Sequence, residues 1–193
     1  MKRLLPPIAC LLLAACSATP PQPLRLHQLS AQTTPANGAQ TLPYNLGIGP
    51  LTWPPYLDHR PLVRRENAGS LRLAENDRWV EPLDVNFLRV LRENLARSLT
   101  PQRLQAHPWA LNDVPAVSVP LEILQFDSDI HGETVLRARW RVIVGKRSGP
   151  ERNSEYRVST GSGNAPAVVA AQSEALARLA TDIAAALPSR LPE

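Results

Sequence analysis

Two stretches of the chain repeat apolar residues at helical spacing, and several others alternate them at strand spacing. Leu83, Phe87, Leu91, Leu95 and Leu99 recur every fourth residue with Leu88 and Val90 beside them, which predicts an amphipathic helix over Pro82 to Leu99. Pro82 suits a first helical position, where a missing N–H costs nothing, and Pro101 closes the element. Arg89, Glu93 and Arg97 sit opposite the stripe and read as a solvated face. A second helix is predicted from Ala165 to about Leu187, capped by Asn164, with Val168, Val169, Gln172, Leu176, Leu179, Ile183 and Leu187 on its buried side.

Strand patterns fill much of the rest. Val135 to Val144 sets Leu136, Ala138, Trp140, Val142 and Val144 on one side and Arg137, Arg139 and Arg141 on the other, so this strand has one packed face and one in water or against a partner. Ala116 to Phe126 alternates from Val117 to Ile123, then changes phase at Leu124 and Phe126, the mark of a bulge. Shorter strands are predicted at Leu24–Leu29, Tyr44–Leu51, Arg60–Arg65, Ser70–Ala74, Arg103–Ala110 and Glu155–Thr160, with a surface loop over Ser30–Pro43. Asn67-Ala68-Gly69 forms a hairpin turn in which Gly69 is free to take positive φ, and Gly47 and Gly49 allow close backbone approach to the Tyr44–Leu51 strand. The order strands, helix, strands, helix predicts an α+β two-layer sandwich, an antiparallel or mixed sheet covered on one face by two helices.

The start of the chain changes where this domain must work. Lys2 and Arg3 precede an apolar run from Leu4 to Leu13, too short for the ~20 residues of a transmembrane helix and suited to export. Leu13-Ala14-Ala15-Cys16 then resembles a bacterial lipobox, so residues 1–15 read as a signal peptide and Cys16 as the acylated first residue of a mature chain. Ser17, where retained inner-membrane lipoproteins usually carry Asp, implies sorting to the outer membrane, facing the periplasm. Residues 16–23, with Pro20, Pro21 and Pro23, form a short stiff tether to a single domain over residues 24–193. Cys10 leaves with the signal, so no thiol or disulfide chemistry is expected in the body. The net charge of +4 falls to +2 once Lys2 and Arg3 are gone, and no concentrated basic surface points to nucleic acid.

No constellation for catalysis stands out, and no cofactor is implied. Phosphate-loop, zinc-protease and nucleophile-elbow spacings are absent. Gly163-Asn164 at a helix start reads as a loop and cap rather than an anion site. Asp127, Asp129 and His131 alternate near a turn, but they are too few oxygens for a hard cation and lack a fourth zinc ligand; the reading is no metal, with the acids pairing to the neighbouring arginine-bearing strand. Two features stay open. The row Arg137, Arg139, Arg141 is a solvated face paired with acids or a contact for an acidic partner or lipid phosphates. The proline-stiffened segment holding Trp53, Tyr56 and Leu57 is a lid on the core or a rigid interface anchor.

Gly49-Pro50, Pro55-Tyr56-Leu57-Asp58, Arg60-Pro61, Leu73-Ala74-Glu75, Asp77-Arg78-Trp79, Glu81-Pro82-Leu83 and Asn94-Leu95 together resemble the PqiC/YmbA family of ABC-type transport auxiliary lipoproteins. This resemblance implies a non-enzymatic outer-membrane lipoprotein that works beside an MCE-domain protein and an ABC transporter moving lipids between membranes, and that assembles as a homo-oligomeric ring. On that basis Trp53, Tyr56, Leu57, Asp58, Arg60 and the arginine row are expected to contribute to protein contacts, while Trp79, Glu81 and Pro82 fix a strand-to-helix corner. Readings from other classes are a periplasmic lipid carrier, which needs an apolar cavity of ~300–1,000 Å³, and an activator of an envelope enzyme.

Overall fold

A computed structural model describes residues 22–32 and 39–192. The signal-peptide, Cys16 and Ser17 expectations, and the middle of the Ser30–Pro43 loop, fall outside those residues. Among the described residues the strands are β1 (Arg25–His27), β2 (Gln40–Thr52), β3 (Pro61–Asn67), β4 (Ser70–Trp79), β5 (Leu99–Ala106), β6 (Val117–Asp129), β7 (Glu133–Trp140), β8 (Ile143–Val144), β9 (Arg147–Ser148) and β10 (Arg152–Ser159). Helix α1 (Leu83–Ser98) follows β4, and α2 (Ala165–Ala186) closes the domain.

The spine is β6. One of its edges carries β2 in parallel from Val117 to Glu122, then β3 in parallel at Ser128 and Asp129. The other edge carries β8 and then β7, both antiparallel. Outward from these lie β10 beside β7, β5 beside β2, and β4 with β1 beside β3. The sheet is therefore mixed, and the two helices pack against each other on one face, as predicted for an α+β sandwich. Leu83, Phe87, Leu91 and Leu95 of α1 are all 5% exposed or less, facing Leu42, Leu46 and Ile48 of β2 and Leu176, Leu179 and Ile183 of α2 in one core. At ~1.5–3 kcal/mol for each large side chain buried, these stripes are the main reason the helices form where they do.

Several boundaries differ from the sequence expectation. Gln40–Pro43, placed in a loop, begins β2, because Leu42 is fully buried and pairs with Pro101. The chain leaves α1 at Ser98 and enters β5 at once, so Pro101 lies inside a strand and Trp109 beyond it. Pro82 is the residue before the first helical one, with φ −52° and ψ 135°. The strand expected over Val135–Val144 breaks after Trp140, and Val144 pairs separately with Val117. The bulge in β6 falls between Ile123 and Gln125 and returns Phe126 to the core, fully buried, rather than sending it to the other face. Gly69 does not take positive φ; its N–H donates to Asn67 Oδ1 at 3.0 Å, a turn closed by the asparagine side chain.

Candidate functional site

Where the edge of β6 passes from β2 to β3, the intervening Trp53–Arg60 segment fills the gap. Pro54 and Pro55 set up a short 3-10 turn over Pro55–Leu57, with Leu57 N–H donating to the Pro54 carbonyl. The turn drops Leu57 into the core at 2% exposure and lays the Trp53 ring edge-on to Phe87 and Phe126, at 5.4 and 6.2 Å. Tyr56 donates to Asp127 Oδ2 at 2.7 Å. Asp127, 1% exposed, also accepts from Arg65 Nε at 3.1 Å, Arg65 Nη2 at 2.6 Å and Gln125 Nε2 at 2.9 Å. Burial, reinforced by the Asp127 charge, pushes the Tyr56 hydroxyl pKa well up, while the bonds that Arg65 donates to Asp127 raise that of Arg65. The carboxylate expected to pair with the arginine row is thus held by β3 instead, on the other edge of β6, because Arg65 lies level with Asp129 in the parallel ladder.

What this segment shows to solvent is Pro55, Asp58, His59 and Arg60. Arg60 is held toward the strand-to-helix corner, its Nη1 donating to the Val80 carbonyl at 3.2 Å and its own carbonyl accepting from Trp79 N–H. Trp79 is 2% exposed, and the Glu81 carboxylate accepts from Asn86 and Arg89. Asn86 in turn accepts the Leu29 N–H, Asn94 accepts the Gln32 N–H, and Ser173 accepts the Ser30 N–H. Three side chains from two helices therefore strap the chain after β1 onto the helical layer. β1 itself is pinned by Asp77, which accepts two bonds from Arg25 at 2.8 Å and lies 2.8 Å from His27 Nε2. The Arg25 bonds hold the Asp77 carboxyl below its usual range.

On the face of the sheet away from the helices, Arg137, Arg139 and Arg141 all stand exposed. Arg139 meets Glu122 at 3.3 Å, whereas Arg137 and Arg141 have no carboxylate partner among the described residues. Glu133 and Glu155, the acids on the neighbouring ladder, are both engaged by Arg157. A shallow cleft of about 240 Å³ lies between Pro50, Thr52, Glu122, Arg139 and Arg141. The ladder brings the two open features onto adjoining positions: Gln125, which contacts Asp127, is level with Arg137, and Thr52, where the aromatic segment begins, is level with Glu122. The surface so formed is a cationic ridge beside a braced loop, with chemistry suited to holding carboxylates or phosphates.

One exposed element was missed by the sequence reading. The loop between β5 and β6 folds back over β2, where a Cβ on Gly47 would meet Trp109 Cζ3 at 2.8 Å and also strike Pro115. It presents Leu111 at 98% exposure and Val114 at 59%. Its sequence signal is Trp109 and Pro115 bracketing Leu111, which the strand expected over Arg103–Ala110 conceals. No group of three or more side chains able to hold a metal is found among the described residues. Nor is any helix among them long and apolar enough to cross a membrane.

A family model described as the ABC-type transport auxiliary lipoprotein component matches residues 25–184. A search of curated proteins finds no match. The crystal structure of a Xanthomonas campestris protein assigned to family DUF330 superposes with a TM-score of 0.69 at 15% identity, covering 82% of this chain and 92% of that one. A crystal structure described as that of an uncharacterized protein gives a TM-score of 0.67 at 16% identity, covering 85% and 98%.

Proposed function

The chain belongs to the ABC-type transport auxiliary lipoprotein component family, and from that premise we propose that it is a non-enzymatic, outer-membrane subunit of an intermembrane lipid transport system. In this reading acylated Cys16 anchors it at the periplasmic face, and the folded body docks onto an MCE-domain protein as part of a homo-oligomeric ring. Docking uses the cationic ridge of Arg137, Arg139 and Arg141 together with Asp58 and Arg60. Trp53, Tyr56 and Leu57 serve that contact from beneath, by fixing the loop that carries Asp58 and Arg60, since their own surfaces are largely spent on the core.

The observation that carries this reading is that Arg137 and Arg141 stand on an exposed sheet face without a carboxylate ion pair among the described residues, Glu133 and Glu155 being taken by Arg157, Glu122 by Arg139, and Glu151 being the one further acid that lines the cleft beside Arg141. A carrier needs a largely apolar cavity, whereas the cleft beside the ridge is open at the surface and lined in part by Glu122, Arg139, Arg141 and Glu151. The test is co-purification of the native acylated chain with the MCE-domain proteins of its source. Arg137→Glu with Arg141→Glu should abolish retention while leaving thermal stability within ~0.5 kcal/mol, as for exposed sites generally. Retention equal to wild type would remove the ridge from the interface.

A further inference from the structure

The edge of the sheet where the described chain begins is apolar and bordered by arginines. β1 pairs with Asp77–Trp79 alone, so the Ser70–Asn76 edge of β4 has no strand neighbour among the described residues. Leu24 and Leu26 are 54% and 62% exposed, and Leu71 and Leu73 on β4 are 40% and 41% exposed. Arg78 lies level with Leu26 and donates to the Glu75 carbonyl, while Arg25 and Arg72 point to the other face of their strands, toward Asp77 and Glu66 at 2.8 and 3.3 Å. Four half-exposed leucines on one corner are more than the scattered apolar residues of an ordinary surface.

We propose that this β1–β4 edge is the membrane-facing surface of the domain, resting its leucines in the bilayer interface with Arg78 against lipid phosphates. The inference rests on the reading of Cys16 as the anchor. Gln22 lies six Cα–Cα steps after Cys16, a reach of at most ~20 Å at full extension. A domain of this length is about 40 Å across. The tether is therefore too short to let the far side of the body approach the bilayer, and it favours the half of the surface on which the chain enters, where the four leucines are the exposed apolar cluster nearest that entry. The strap of Asn86, Asn94 and Ser173 makes that entry point rigid, so a constraint on β1 is a constraint on the whole body. Interfacial binding of this kind rests on buried apolar area, which the four leucines supply.

The acylated mature chain has no free thiol in this reading, so one introduced cysteine takes a dye uniquely. Leu26→Cys, Leu73→Cys and, as a control on the exposed side of α2, Thr181→Cys are labelled with bimane and reconstituted in phosphatidylethanolamine–phosphatidylglycerol vesicles carrying nitroxide phospholipid. The expected result is loss of emission at 26 and 73 and none at 181, with emission at 26 restored when Leu71→Glu and Leu73→Glu are added. A chain that stays in the supernatant overturns the anchor and this surface with it. A chain that sediments with all three dyes unquenched overturns the surface alone. Blue-shifted dyes at 26 and 73 without nitroxide quenching assign the leucines to a protein contact and likewise overturn it.

Discussion

Replacing Asp127 with alanine removes the acceptor on which the Trp53–Arg60 segment is braced. Four donors lose it together: Nε and Nη2 of Arg65, the Tyr56 hydroxyl and Gln125 Nε2. Breaking a buried ion pair costs ~3–5 kcal/mol, because the remaining charge is stranded. Arg65 retains 27% side-chain exposure and can recover some water, which puts the cost at the low end, about 3 kcal/mol. For a chain of 193 residues that is a fall in Tm of about 6–12 °C. Asp127→Asn keeps the volume but not the charge and should fall between alanine and wild type. Tyr56→Phe, which leaves the carboxylate three other donors, should cost about 1 kcal/mol. Urea unfolding followed by tryptophan emission reads all three, with the slope m checked for constancy. Asp127→Ala within ~0.5 kcal/mol of wild type, or a double-mutant cycle with Arg65→Ala showing no coupling, would refute the bracing role.

Two further outcomes follow from the geometry. Asp77 has a folded-state pKa below its ordinary 3.8 because of Arg25, so its stabilisation of β1 is present above about pH 4 and lost as pH falls through the lower, folded value. Amide protection at residues 25–27, taken relative to the intrinsic exchange rate at each pH, should fall on acidification across that window, and Asp77→Asn should show low protection already at neutral pH; an acid response that persists in Asp77→Asn would assign it elsewhere. Gly47→Leu must displace the Trp109–Pro115 loop and should cost ~1–3 kcal/mol as an overpacked site, with a red shift in tryptophan emission; an unchanged spectrum and midpoint would mean the loop does not rest on β2.

The elements with a local signature were legible in the sequence. The Leu83–Leu95 stripe and the alternation of Leu136, Ala138 and Trp140 against three arginines each follow from a single period, and both are buried on the side that the period requires. What failed was pairing between strands distant in sequence. Nothing local marks β2 as lying between β5 and β6, so the strand character of Gln40–Pro43 and of Leu99–Gln102 was hidden. The same cause misplaced Asp127: its nearest arginines along the chain are those of β7, but the ladder sets Arg65 beside it. The choice between lid and anchor for Trp53 and Tyr56 depended on Phe87, Phe126 and Asp127, three residues from two other elements. The strap formed by Asn86, Asn94 and Ser173 looked like polar interruptions of helical stripes, because its partners are backbone N–H groups with no sequence signature.

Docking through the cationic ridge is tested most directly by photo-crosslinking in living cells, with a benzophenone amino acid at position 139 of the otherwise native chain and a control at Thr181. The account predicts an adduct with an MCE-domain protein at 139, absent at 181 and lost when Arg137 and Arg141 are reversed to glutamate. Adducts at 139 that contain no MCE-domain protein, in cells that express one, would contradict it.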